Sequence, residues 1–251
     1  MTTPQSRPSR VTSNTTPDRY VLQEELFTRL IKLTNEFKTR YPSELNPELK
    51  FDAGLPIEGL HVEKIVTFFC QVFDFALALD KANIALSKDT IDMGLLFQSI
   101  NFQTKGLANN GRALIKSLPK ISQDSVKSIF RSVLYPWLKK SDFVNRGLIK
   151  PHGYPGDFEI VEKMYQGQLT SHGIGYIFDA IFFESQLCQG LRNRKDMMRQ
   201  ILTNFFLKSN NDPLNVLNIA CGGSRELREL DEIPSKIKLF LLDQDISALS
   251  Y

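Results

Sequence analysis

Asn215-Val216-Leu217-Asn218-Ile219-Ala220-Cys221-Gly222-Gly223-Ser224-Arg225-Glu226, followed by Lys238-Leu239-Phe240-Leu241-Leu242-Asp243-Gln244-Asp245, is the stretch that decides the fold class. A short apolar run ends in a turn of small residues, a helix follows, and a second apolar run ends in a carboxylate. Strand, glycine turn, helix, strand and acid, in that order, open a nucleotide-binding α/β fold. Glycine in such a turn leaves no Cβ between backbone and ligand, and the next helix points its first amides into the same space. An acid at the end of the second strand can accept both hydroxyls of a ribose. Asp243 stands 21 residues after Gly222, near the spacing of about 20 expected of such an acid. Asp245 reads as the cap of a helix starting at Ile246. The third glycine of a dinucleotide fingerprint is absent, and Arg225-Glu226 occupy the positions of close helix packing. The turn therefore suits a ligand without a pyrophosphate.

Upstream of this stretch, Ser209-Asn210-Asn211-Asp212-Pro213 is a polar break. Strands are expected after it, at 214–220 and 238–242, and helices before it. Apolar residues recur at helical spacing over 20–40 and again over 62–86, where the run 68–79 is apolar almost all round and reads as a central helix. Residues 89–118 read as helical but interrupted by glycines. Ser122 is the expected cap of a helix through Leu138, with Val126, Ile129, Phe130, Val133 and Trp137 on its inner face and Pro136 kinking it or marking its last turn. Residues 175–208 read as a long helical arm with its break expected at Gly190. The fold expected is an α-helical N-terminal domain at 20–208, then the start of an α/β Rossmann-like domain at 214–251, with residues 1–19 a disordered tail rich in Ser, Thr, Pro and Arg.

Bulk properties narrow the function classes. The apolar fraction is 42% and the charged fraction 24%, as in soluble globular chains. With 18 phenylalanines, aromatic packing is expected to dominate the core. The net charge of +3, with no basic block, argues against nucleic acid as a partner. No run approaches the roughly 18 apolar residues of a membrane span. Cys70, Cys188 and Cys221 are scattered and odd in number, forming neither a disulfide framework nor a metal pattern. No metal is expected, and a reducing cytoplasmic setting is. No nucleophile elbow or phosphate-loop lysine is present. His61 and His172 read as surface or capping residues.

Ala220-Cys221-Gly222-Gly223-Ser224 and Leu242-Asp243-Gln244-Asp245 resemble, in place and spacing, the first two motifs of class I S-adenosylmethionine-dependent methyltransferases. The resemblance implies S-adenosylmethionine as cofactor. Gly222 and Gly223, with Ala220 and Cys221 beside them, would lie under its methionine moiety, and Asp243 would hold its ribose. A second motif narrows the likeness. Lys150-Pro151-His152-Gly153-Tyr154-Pro155-Gly156-Asp157-Phe158-Glu159, followed by Met164-Tyr165, resembles a segment of a group with a helical region ahead of the methyltransferase fold. That group includes enzymes that make extracellular-factor 3-hydroxypalmitic acid methyl ester. Arg192 and Arg194 resemble a basic element of the same group.

The reaction implied is methyl transfer to an oxygen of a small-molecule acceptor, with the carboxylate of a hydroxy fatty acid as the candidate. Tyr154 and Asp157 are the candidate catalytic residues, and Arg192 and Arg194 the candidate substrate-binding residues. The bland alternatives stand beside these. Gly153, Pro155 and Gly156 also suit a structural turn, Asp157 a cap for a helix through Gln166, and Arg192 and Arg194 a solvated helix face. His152 sits at a variable position of the motif and is not expected to be catalytic. Only two strands are legible, so the α/β unit is expected to be incomplete within these residues. The rival reading is therefore a non-catalytic helical interaction protein with a truncated Rossmann unit.

Overall fold

A computed structural model describes residues 28–29, 32–36, 39, 59–88, 90–154, 156–209, 213–230 and 237–251. The expected tail at 1–19 lies outside them, and so do residues 42–58 of the connecting loop that the prolines and glycines of 42–60 predict; Gly59 and Leu60, the last two residues of that loop, are already helical. Of the first expected helix, the described residues 28, 29, 32–36 and 39 are helical. The chain divides into two compact units: Met1–Leu77 with Lys105–Val133, and Ala78–Thr104 with Leu134–Tyr251. The change from helix to strand at 209–213 falls inside the second unit.

Three long helices follow those first helical residues: α1 (Gly59–Ser87), α2 (Met93–Ser117) and α3 (Lys120–Leu138). No proline or glycine interrupts α1 after Gly59, and its side chains from Phe68 to Leu79 are buried almost all round. In the first unit Phe68 of α1 stacks on Phe130 of α3, with ring centroids 5.9 Å apart.

α2 starts where Asp92 Oδ1 accepts the Leu95 amide at 2.8 Å. It runs unbroken through Gly106 and Gly111, contrary to the interruption expected there. A mid-helix glycine costs only about 1 kcal/mol, and Gly111 meets the Phe68 ring, 3.3 Å from where its Cβ would stand. α3 begins two residues before Ser122, which is buried inside it and is not its cap. The first turn closes instead on Pro119 O, which accepts the amides of Ser122 and Gln123. Pro136 sits in the last turn of α3 without ending it early.

The second unit holds α4 (Asp142–Ile149), α5 (Phe158–Gln166), α6 (Ile174–Phe183) and α7 (Gln186–Lys208). Ser141 caps α4: its Oγ accepts the Val144 amide at 3.1 Å and donates to Asp179 Oδ1 at 2.5 Å. The buried Asp179 carboxylate also accepts the amides of Phe143 and Ser171, so it ties α6 to the start of α4 and to the loop before α6. The arm breaks at Glu184–Ser185 rather than at Gly190, because Ser185 Oγ caps α7 through the Cys188 amide. Phe143, Ile160, Met164 and Cys188 form the core where α4, α5 and α7 meet.

Two strands follow, β1 (Leu214–Ile219) and β2 (Ile237–Leu242). They pair in parallel with Leu214 opposite Ile237 and Ile219 opposite Leu242. These are the strands among the described residues, and each lies within a residue or two of its expected span. One face of the pair packs Leu214, Val216, Ile237 and Leu239 against Leu202 and Phe206 of α7 and against Leu227 of α8 (Arg225–Arg228). Leu217, Ile219, Phe240 and Leu242 on the other face are exposed. α9 (Ile246–Ser250) closes the described chain, capped by Asp245 as expected. The molecule is thus mostly helical with a small parallel sheet. Among the described residues no helix is long and apolar enough to cross a membrane.

Candidate functional site

The register of β1 and β2 brings their carboxyl ends level, which is where open α/β sheets place ligands. The chain leaving β1 alternates into left-handed backbone at Ala220 (φ 54°), Gly222 (φ 51°) and Ser224 (φ 48°). Positive φ is uncommon for residues with a Cβ, so Ala220 and Ser224 mark a constrained turn. The constraint is built from hydrogen bonds. Cys221 N donates to Leu242 O at 3.2 Å and Ser224 N to Cys221 O at 2.9 Å. Gly222 N donates to Asp243 Oδ2 at 2.7 Å, and Asp245 N donates to Asp243 Oδ1 at 2.9 Å. These two backbone donors, Asp245 first, hold the Asp243 carboxyl below its ordinary range. It is an anion at neutral pH, clamped against the turn, with lone pairs left for further donors.

The second part of the site comes from the loop between α4 and α5. Lys150 ends α4 in left-handed backbone, and Gly153 (φ 85°) turns the chain back, its amide donating to Lys150 O at 2.8 Å. Asp157 then starts α5. One of its oxygens accepts the Ile160 amide at 3.0 Å, and both accept Arg146 Nε at 2.9 Å. Burial opposes ionisation of Asp157, but the Arg146 and Ile160 hydrogen bonds and the Arg146 charge outweigh it and lower its pKa. Asp157 is fully buried. Its carboxylate is occupied as a helix cap and ion-pair partner and does not line the cavity described next. The structure gives it the work of an anchor, in place of the catalytic contact expected.

Loop and turn line one cavity of about 720 Å³. Tyr154 and Gly156 come from the loop, Glu162 from α5 and Arg194 from α7; Ala220, Cys221, Gly222, Gly223 and Asp243 come from the strand ends. Burial raises the Tyr154 phenol, and the Asp245, Asp243 and Asp157 carboxylates raise it further. It is therefore a neutral hydrogen-bond donor at physiological pH rather than a base. Arg192 does not join Arg194: its guanidinium lies 3.9 Å from the centre of the Phe183 ring and donates to Phe183 O at 3.2 Å.

Glu162 is the site residue that sequence reading missed. Its side chain is 4% exposed, and Oε2 meets Arg225 Nη1 at 2.9 Å and Arg228 Nη2 at 3.1 Å. A Cβ on Gly223 would stand 2.6 Å from Glu162 Oε1, so a larger residue there would push the carboxylate end of Glu162 aside. The only sign in the sequence is that Glu162 falls one helical turn after Phe158, on the buried side of α5. A second ion-pair layer lies behind it. Arg225 Nε meets Glu229 Oε1 at 2.6 Å, and Lys195 pairs with the same carboxylate.

Comparison with protein-family models, with curated proteins and with solved structures found no match. Among the described residues, no group of three or more His, Cys, Asp and Glu side chains is arranged to hold a metal ion.

Proposed function

We propose that this cavity binds S-adenosylmethionine and that the protein is a methyltransferase acting on an oxygen acceptor, the carboxylate of a fatty acid or hydroxy fatty acid. The observation that carries the reading is the meeting of Tyr154 and Gly156 with Gly222, Gly223 and Asp243 in one cavity. Its volume suits a small-molecule site, for which about 300–1,000 Å³ is usual. The lining also fits in charge. Glu162, Glu226 and Asp243 face Arg194 and Arg225, three anions against two cations. That balance favours a ligand carrying a sulfonium and disfavours a pyrophosphate.

S-adenosylmethionine supplies an activated methyl group, so the protein's share of the work is positioning and exclusion of water. Asp243, ionised and pinned by two amides, is the acceptor for a pair of ribose hydroxyls. Gly222 and Gly223 allow the backbone close to the ligand. Arg194 is the cation on the cavity wall for an acceptor carboxylate, which is already nucleophilic and needs no general base. Tyr154 donates a hydrogen bond on the acceptor side.

Calorimetric titration with S-adenosylmethionine tests the cofactor half of the proposal. Asp243→Ala is expected to weaken binding by about 1.5–3 kcal/mol, the worth of a charged acceptor. Unchanged affinity would remove Asp243 from the ribose role. Tyr154→Phe tests the acceptor half: cofactor affinity within about twofold of the parent and methyl transfer lower by about a hundredfold, as for loss of one preorganised donor. An equal fall in both would place Tyr154 on the cofactor instead.

A further inference from the structure

Asp245 holds a buried oxygen, Oδ2, with no hydrogen-bond partner apart from one approach: His152 Nδ1 lies 2.8 Å from it. Two acceptors at that distance would repel, so the contact is favourable only with a proton on Nδ1 directed towards Asp245. The other oxygen, Oδ1, accepts the Ser247 amide at 2.9 Å and starts α9. The Asp245 amide in turn donates to Asp243 Oδ1, and Asp243 Oδ2 accepts the Gly222 amide. An unbroken series of contacts thus runs from the α4–α5 loop through both acids to the glycine turn. On its far side His152 Nε2 is 3.8 Å from Glu159, which pairs with Arg146. The imidazole ring packs edge-on against Phe158, with centroids 5.8 Å apart.

We propose that His152 is a positioning residue that acts through Asp245 to fix Asp243 and the Gly222 turn in the geometry that receives the ligand. The proposal rests on Asp243 being the acid of the site. Without the Nδ1–H donor, Asp245 Oδ2 is a buried anion facing no proton, and the turn at 243–245 must open to hydrate it. That movement withdraws the Asp245 amide from Asp243, and the Asp243 clamp on Gly222 loosens. His152 itself is absent from the cavity wall, so its effect on binding is indirect.

Two substitutions separate the hydrogen bond from the packing. His152→Phe keeps a ring against Phe158 and removes the donor. His152→Asn gives up the ring and places an amide N–H where Nδ1 stood. Hydrogen exchange, read by NMR on the ¹⁵N-labelled full chain, follows the amides of Gly222 and Asp245 directly. In His152→Phe both are expected to exchange about tenfold faster, the equivalent of one charge-assisted hydrogen bond, while the α6 amides keep the parent rate. In His152→Asn all should stay within about twofold of the parent. Affinity for S-adenosylhomocysteine should follow the same order, falling about tenfold in the Phe variant only.

The proposal is overturned if the Phe variant exchanges like the parent at Gly222 and Asp245, or if the Asn variant is as impaired as the Phe variant. Faster exchange throughout α6 in the Phe variant also overturns it, because His152 would then be a general structural residue. Should the parent bind no S-adenosylhomocysteine, the proposed function fails while the exchange rates still decide the role of His152.

Discussion

Asp157→Ala is expected to destabilise the protein by about 3–5 kcal/mol, the usual result of breaking one half of a buried ion pair. The Asp157 side chain is 1% exposed and that of Arg146 19%. Arg146 Nη2 is already buried without a partner, so removing the carboxylate leaves two of the three guanidinium nitrogens unsatisfied and only Nη1 paired, with Glu159. The cap of α5 goes as well, a loss of about 1 kcal/mol within that total. Asp157→Asn keeps a capping oxygen and loses the charge, and should cost about 1–3 kcal/mol. Urea unfolding midpoints order the parent, the Asn variant and the Ala variant.

The same pair predicts a dependence on acid. The folded-state pKa of Asp157 is lowered, so its contribution is present in full above the unfolded-state value of about 3.9 and is lost as pH falls through the lower folded value. The difference in stability between the parent and Asp157→Asn should shrink across that window. A constant difference down to the acid limit would show that the charge contributes nothing.

Gly175→Ala is expected to cost about 3 kcal/mol, at or above the top of the range for overpacking. A Cβ there would stand 1.9 Å from Lys140 O and 2.6 Å from Lys140 C. Both are backbone atoms and cannot swing aside, so α6 must move off the end of α3. Ser141 and Phe143, just beyond Lys140, donate to Asp179 of α6, and these hydrogen bonds should weaken together. Gly190→Ala in α7 is the control. Its Cβ meets open space, and the exchange should stabilise by up to about 1 kcal/mol through helix propensity. Thermal unfolding distinguishes the two. A Gly175→Ala protein as stable as the parent would mean that α6 is not held against Lys140.

The parts of this molecule that were legible in its sequence are those governed by local rules. β1 and β2 announced themselves as short apolar runs ending in a glycine turn and an acid, because parallel strands need both a buried face and a specific exit. Asp157 and Asp245 were legible as caps, since a cap depends on residues two or three positions away. What was lost depends on distant partners. Glu162 is a site residue because Arg225 and Arg228, more than sixty positions later, neutralise it. Arg146 claims Asp157 from a helix, α4, too short and too close to Pro151 and Gly153 to stand out by periodicity. Arg192 and Arg194 look alike in the sequence; a ring at Phe183 takes one and leaves the other on the cavity wall. The sequence points to Gly190 for the break in the long arm, yet a glycine costs a helix little, whereas Ser185 satisfies a free amide, that of Cys188, at the start of a new one.

Titration of the ¹⁵N-labelled chain with S-adenosylhomocysteine, followed through its backbone amides, tests the central claim most directly. Saturable shifts are expected at Gly153 and Gly156 in the loop, at Gly222 and Gly223 in the turn and at Asp243, all moving with one dissociation constant. Amides beside a second cavity, at Thr67, Gln71 and Asn110 of the first unit, should stay still. Shifts confined to those three, or none at all at saturating ligand, would contradict the account.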